Sequence, residues 1–196
     1  MQQRSEPADS LDYFPTPPWA TRALLEKVLP HINWKEQEVW EPACGEGDMA
    51  KALKEYAYKV HSSDIHDYGY QDVLVDFTED IKSHTFVADW VITNPPFNKA
   101  TEFIEKCLYA NQNCAMLCRL SFIESKGRYE KLFKNNPPTI VAPFVERVAM
   151  FKGRLDRKGG SATSYAWFVW EHGKQGTEVV WIPPCRNELE RDEDWR

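Results

Sequence analysis

Hydrophobic positions along the chain alternate between two periods. Residues 38–41, 59–64, 88–93 and 114–118 form short apolar or alternating runs of strand length. Between them, residues 48–56 place Met49, Ala52 and Leu53 on one helical face, and residues 100–110 do the same with Phe103, Ile104, Cys107 and Leu108. Residues 16–29 read as an earlier helix with Thr16 or a near neighbour as its cap, proline in its first turn and Pro30 as its stop. Residues 125–133 read as a later helix, and residues 72–77 and 139–142 as further strands. Residues 164–170 and 177–182 flank a loop containing Gly173 and Gly176, which predicts a C-terminal antiparallel hairpin. Strands alternating with helices imply an α/β fold: a Rossmann-like, doubly wound, mostly parallel sheet with helices on both faces. Residues 1–12 are polar and aperiodic and read as a flexible leader, residues 13–185 as a single domain, and residues 186–196 as a charged tail, either solvated or an interaction segment.

The chain has 196 residues, 42% of them hydrophobic, enough for one core and too few for two full domains. No run approaches the roughly 20 apolar residues of a membrane span, and the first residues lack the basic and apolar stretches of a signal peptide. A cytoplasmic protein without a membrane partner is expected. The five cysteines, Cys44, Cys107, Cys114, Cys118 and Cys185, form no CxxC pair and stand in no zinc-ligand spacing, so reduced structural thiols and no metal are expected. The net charge of −6 argues against a stand-alone duplex binder. The charge is uneven, however: Arg147, Lys152, Arg154, Arg157 and Lys158 fall within twelve residues whose only acid is Asp156.

Three features carry chemistry. Glu41-Pro42-Ala43-Cys44-Gly45-Glu46-Gly47-Asp48 is a glycine turn between strand and helix, where a backbone without Cβ atoms can approach a ligand; it is not the GxGxxG fingerprint. Asp64 ends the second strand, where nucleoside-binding sheets place an acid for the ribose hydroxyls, and Asp76 follows the third. Asn94-Pro95-Pro96-Phe97 closes the strand at 88–93. Its prolines fix the backbone and remove two donors, so the Asn94 side-chain oxygen and the Pro95 carbonyl can accept both N–H groups of a planar amine while Phe97 stacks on its ring.

In this order, preceded by Tyr13-Phe14-Pro15-Thr16-Pro17-Pro18, these motifs resemble the class I S-adenosylmethionine-dependent adenine-N6 DNA methyltransferases of phages and restriction-modification systems. The resemblance spans roughly residues 13–100. It implies S-adenosyl-L-methionine as cofactor, with Tyr13, Thr16, Glu41, Ala43, Gly45, Asp64, Asp76 and Asn94 around it, and Asn94, Pro95, Pro96 and Phe97 as the catalytic corner. The expected acceptor is a flipped or single-stranded DNA adenine, with an RNA adenine or a protein glutamine amide as alternatives, and a noncatalytic cofactor-binding protein as another. Substrate contacts are expected from Phe97, Lys99 and the basic residues Arg147, Lys152, Arg154, Arg157 and Lys158. The chain departs from the family in having little room for a target-recognition region beyond residues 145–162. That stretch is either a minimal recognition loop or a solvated one, which leaves open a homodimer or a separate recognition partner.

Overall fold

The computed structural model describes residues 13–79 and 86–195; the leader expected over residues 1–12 lies outside them. Eight strands form one sheet: β1 (Glu38–Glu41), β2 (Lys59–Asp64), β3 (Val73–Leu74), β4 (Trp90–Thr93), β5 (Asn113–Arg119), β6 (Ile140–Pro143), β7 (Tyr165–Trp170) and β8 (Glu178–Val179), in the order β3-β2-β1-β4-β5-β7-β6-β8. From β3 to β5 every pairing is parallel, and β7 runs antiparallel to both β5 and β6. This is the expected doubly wound α/β sheet. Among the described residues no helix is long and apolar enough to cross a membrane.

Strand β5 shows why its run is continuously apolar. Cys114, Met116 and Cys118 join the core cluster on one face of the sheet, and Ala115 and Leu117 join the cluster on the other. One cluster contains the helical stretch from α1 (Pro18–Ala23) through the π-turn Leu24–Val28, together with α2 (Asp48–Lys54); the other contains Phe103, Ile104 and Cys107 of α3 (Ala100–Tyr109). All five cysteines are buried and unbridged, and burial pushes the Cys118 thiol up to about 12. Trp167 donates its indole N–H to the Ala20 carbonyl at 3.0 Å, fastening α1 across the sheet.

Three expectations need correction. The last two strands do not form a hairpin, because β6 lies between them and β8 pairs with β6 in parallel. Every residue of β7 is buried, so it needs a neighbour on each edge, whereas β8 is a short exposed edge strand. Trp167 and Trp170 are core, while Trp181 is 67% exposed. Thr16 does not cap the first helix: Pro17 occupies the cap position, and the Thr16 hydroxyl faces the Met150 sulfur at 3.9 Å. The tail is not merely solvated. Arg22, 2% exposed, holds Glu55, the Leu189 carbonyl and Asp194 together, and α5 (Arg186–Leu189) packs Leu189 into the core. A buried guanidinium surrounded by acceptors orders residues that composition alone reads as soluble.

Candidate active site at the carboxyl edge of the sheet

The strand order reverses between β1 and β4, and a cavity of about 490 Å³ opens at their carboxyl ends. Its lining includes Tyr13, Thr16, Glu41, Ala43, Asp64, Asp76 and Asn94, which brings together all but one of the expected cofactor residues. The exception, Gly45, acts from behind. Its φ is +51°, and a Cβ there would lie 2.3 Å from the Tyr13 ring, so only glycine lets Tyr13 lie against the turn. Asp64 fixes the turn from the side, accepting from the Gly45 N–H at 2.9 Å with one oxygen and from the His66 N–H at 3.0 Å with the other. The Cys44 N–H bonds the Ser63 carbonyl at 3.0 Å, stapling the same turn to β2.

The cavity is acid-lined. Burial, reinforced by the charges of Asp48 and Asp64, holds the Glu41 carboxyl well above the usual carboxylate range, and its Oε2 is buried without a partner. Burial also raises Asp48. At Asp76, burial acts upward but hydrogen bonds from Thr78 act downward, and the net lies below the ordinary value. Asp76 Oδ1 accepts from both the Thr78 N–H (2.8 Å) and its hydroxyl (2.7 Å). Burial, with Asp48 beside it, raises the Tyr13 hydroxyl, which therefore stays protonated. The rings of Tyr13 and Tyr68 meet at 4.9 Å. Sequence reasoning missed Tyr68, Ile65, Asp48 and Phe77 as lining residues; an apolar residue directly after the acid that ends β2 was the available signal.

The Asn94 amide is oriented by its surroundings. Its Nδ2 donates to the Phe14 carbonyl at 2.8 Å, and because a carbonyl can only accept, the amide must present its NH2 there. This leaves Asn94 Oδ1 buried and unpartnered. The Pro96 carbonyl is taken by the Lys99 N–H at 2.9 Å, whereas the Pro95 carbonyl accepts from none of the described N–H groups. Phe97 packs against Phe14 with ring centroids 5.2 Å apart, and the Arg119 guanidinium lies over its ring, 4.0 Å from the centroid. Lys99 pairs with Glu102 at 2.8 Å and lies on the rim of the acid-lined cavity.

The basic stretch meets this corner through Met150 and Gly153. Met150 Sδ lies 3.7 Å from Asn94 Nδ2, and the Gly153 N–H donates to the Tyr13 carbonyl at 2.9 Å. All five cations are exposed, but several are engaged within the protein. Arg147 bonds the Ala162 carbonyl and Ser164, Arg154 lies between Phe151 and Asp156, and Arg157 pairs with Glu190 at 2.7 Å and Asp192 at 2.8 Å. The tail thus neutralises part of what the sequence presents as a free basic patch.

No family model matches the sequence, and no curated protein matches it either. Solved structures do share the architecture. The modification subunit of a proposed type I restriction enzyme from Vibrio vulnificus superposes with a TM-score of 0.60 at 13% identity over 96% of this chain, which spans 51% of that subunit. A proposed RNA methyltransferase from Pyrococcus horikoshii gives 0.59 at 16% identity, with 87% of this chain and 92% of that one covered. The 23S rRNA methyltransferase ErmE gives 0.51 at 17%, covering 84% and 72%. At such identities the likeness concerns the fold alone, the doubly wound α/β sheet that these proteins share with this chain.

Proposed function

We propose that the protein is an S-adenosyl-L-methionine-dependent methyltransferase acting on the exocyclic N6 amine of adenine in DNA. The observation that carries this reading is the buried, unpartnered Asn94 Oδ1, at a proline-stiffened corner bordering a carboxylate-lined cavity. The cavity residues fit the donor: Asp64 and Asp76 supply acceptors for a nucleoside, Ile65 and Tyr68 supply apolar wall, and Glu41 and Asp48 are buried carboxyls whose ionised form a cationic ligand would favour. When bound, the donor supplies a methyl group made electrophilic by a positive sulfur.

The chain's own residues hold the acceptor. An aromatic amine is a weak nucleophile because its lone pair is delocalised into the ring. Accepting its two N–H groups on Asn94 Oδ1 and the Pro95 carbonyl draws that density back to nitrogen and aims the lone pair toward the cavity. Phe97 provides a ring for the base to stack on. This needs no covalent enzyme intermediate, in keeping with the burial that raises the thiols of Cys44 and Cys118.

The test is labelled-methyl incorporation into separate DNA, RNA and protein fractions, with donor binding followed by calorimetry. The expected result is label in DNA adenine, and Asn94→Ala lowering transfer by about 10²–10³-fold with donor affinity retained. Label confined to RNA or to glutamine amides moves the acceptor to that class. Full transfer by Asn94→Ala removes the corner from the mechanism, and donor binding with no product on any polymer leaves a noncatalytic binding protein.

A further inference from the structure

Arg119 is the last residue of β5, beside β4 on the strand edge that carries Asn94. It is exposed, and among the described residues no carboxylate pairs with it. Its guanidinium instead lies over the Phe97 ring at 4.0 Å, a stacking distance. Phe97 in turn is held by Phe14, whose carbonyl orients Asn94. A planar, π-bearing cation therefore rests on the ring that the proposed reaction needs for its acceptor base. An exposed cation–π contact is weak, so it is readily displaced.

We propose that Arg119 is the second wall of the acceptor-base site: a purine enters between the Phe97 ring and the Arg119 guanidinium and is clamped with both faces covered. This deepens the methyltransferase reading and rests on it. The guanidinium lies on the ring where the base would stack, then rises by the thickness of one ring and stacks on the outer face of the base. Arginine suits this role, and lysine does not, because only a guanidinium is flat. The site takes an unpaired purine from a single-stranded or flipped nucleotide, since a base within a duplex has neither face available. Arg119 thereby sets specificity for an aromatic acceptor over a protein amide, which has no ring to clamp.

The experiment uses the full chain and a short single-stranded oligo(dA) carrying one 2-aminopurine, whose fluorescence is quenched on stacking. Affinity and quenching are measured over a range of salt, alongside labelled-methyl transfer to unmodified oligo(dA). The expected result is that Arg119→Ala weakens binding about five- to hundredfold, reduces quenching and leaves the slope of log affinity against log salt unchanged. Arg119→Lys, which keeps the charge and loses the plane, should behave like Arg119→Ala in quenching, and the exposed position allows both variants to fold. A slope that falls by about one in Arg119→Ala makes the residue a phosphate contact and overturns the clamp. Unchanged or tighter binding by either variant overturns it as well, as does a wild-type protein that does not quench the probe. If wild type quenches through Arg119 but transfers no methyl to nucleic acid, the clamp stands and the methyltransferase reading fails. If wild type transfers methyl and Arg119→Ala transfers equally well, the reverse holds.

Discussion

The two halves of the carboxyl edge are built differently. On the β1–β4 side, the cavity is rigid before any ligand arrives: Asp64 bonds two backbone N–H groups, Asp76 is tied to Thr78, and Gly45 lets Tyr13 lie against the turn. On the β5–β7 side, the groups facing outward are long cations parked on aromatic rings or on acids of the chain itself, as with Arg119 on Phe97, Arg154 on Phe151 and Arg157 on Glu190 and Asp192. The first arrangement suits a small ligand whose shape must be matched closely; the second suits a polymer that displaces weak surface contacts as it docks. The corner at Asn94 belongs to both, through Phe14 on one side and Met150 on the other.

The contrast can be broken most severely at Arg22. Arg22→Leu leaves Glu55 and Asp194 without their buried partner, so unfolding free energy should fall by about 3–5 kcal/mol, read by urea denaturation. The freed tail should also release Arg157, so the variant should bind single-stranded DNA with a steeper salt dependence than wild type. An unchanged midpoint would show that the tail contributes nothing to the fold.

Gly45→Ala sharpens the contrast from the cavity side. A side chain in the left-handed region costs about 1–2 kcal/mol, and the new Cβ would push Tyr13 off the turn. Calorimetry should show donor affinity weakened by about tenfold or more, with oligonucleotide binding unaffected. Equal losses in both would mean that the two halves are not separable.

Glu41 gives a pH signature. Its folded-state pKa lies above the unfolded value, so the stability it contributes is fully present below the unfolded pKa and is lost as pH rises toward the folded one. Glu41→Gln should therefore melt higher than wild type at pH 8 and show a smaller difference at pH 5. A cationic donor favours the ionised carboxylate, so wild-type donor affinity should rise with pH over the same window and the slope should flatten in Glu41→Gln. Parallel pH profiles would place the buried acid outside donor binding.

The smallest effect concerns the basic stretch. Lys158, an exposed cation in that stretch, has no acid partner among the described residues, whereas Arg157 is held by two acids. Lys158→Ala should reduce the salt slope of oligonucleotide binding by about one, and Arg157→Ala should leave it nearly unchanged. The opposite ranking would show that the tail pairs open when a polymer binds.

Much of the cavity half was legible in the sequence because its signals are local. A glycine turn after a short strand, an acid at the end of the next and a proline pair after the fourth each define a backbone shape within a few residues, and the sheet order then brings Glu41, Asp64, Asp76 and Asn94 to one cavity. The continuous apolar run of β5 likewise announced a strand covered on both faces. The β5–β7 side was less legible because charge does not reveal its partners. Five cations in twelve residues look alike in sequence, and only long-range contacts show Arg157 paired with the tail, Arg147 closing its own loop and Arg119 lying on Phe97.

By itself, the sequence determined the alternation of strand and helix, the positions of the turns and the chemical types at the site, since these follow from periodicity and backbone stereochemistry. Tertiary structure alone decided that β6 separates the last two strands, that Arg22 draws an acidic tail into the fold, and that Phe14 turns the Asn94 amide so its oxygen has no partner. Strand neighbours, buried ion pairs and amide orientation depend on atoms distant in the chain, and short-range pattern carries no record of them.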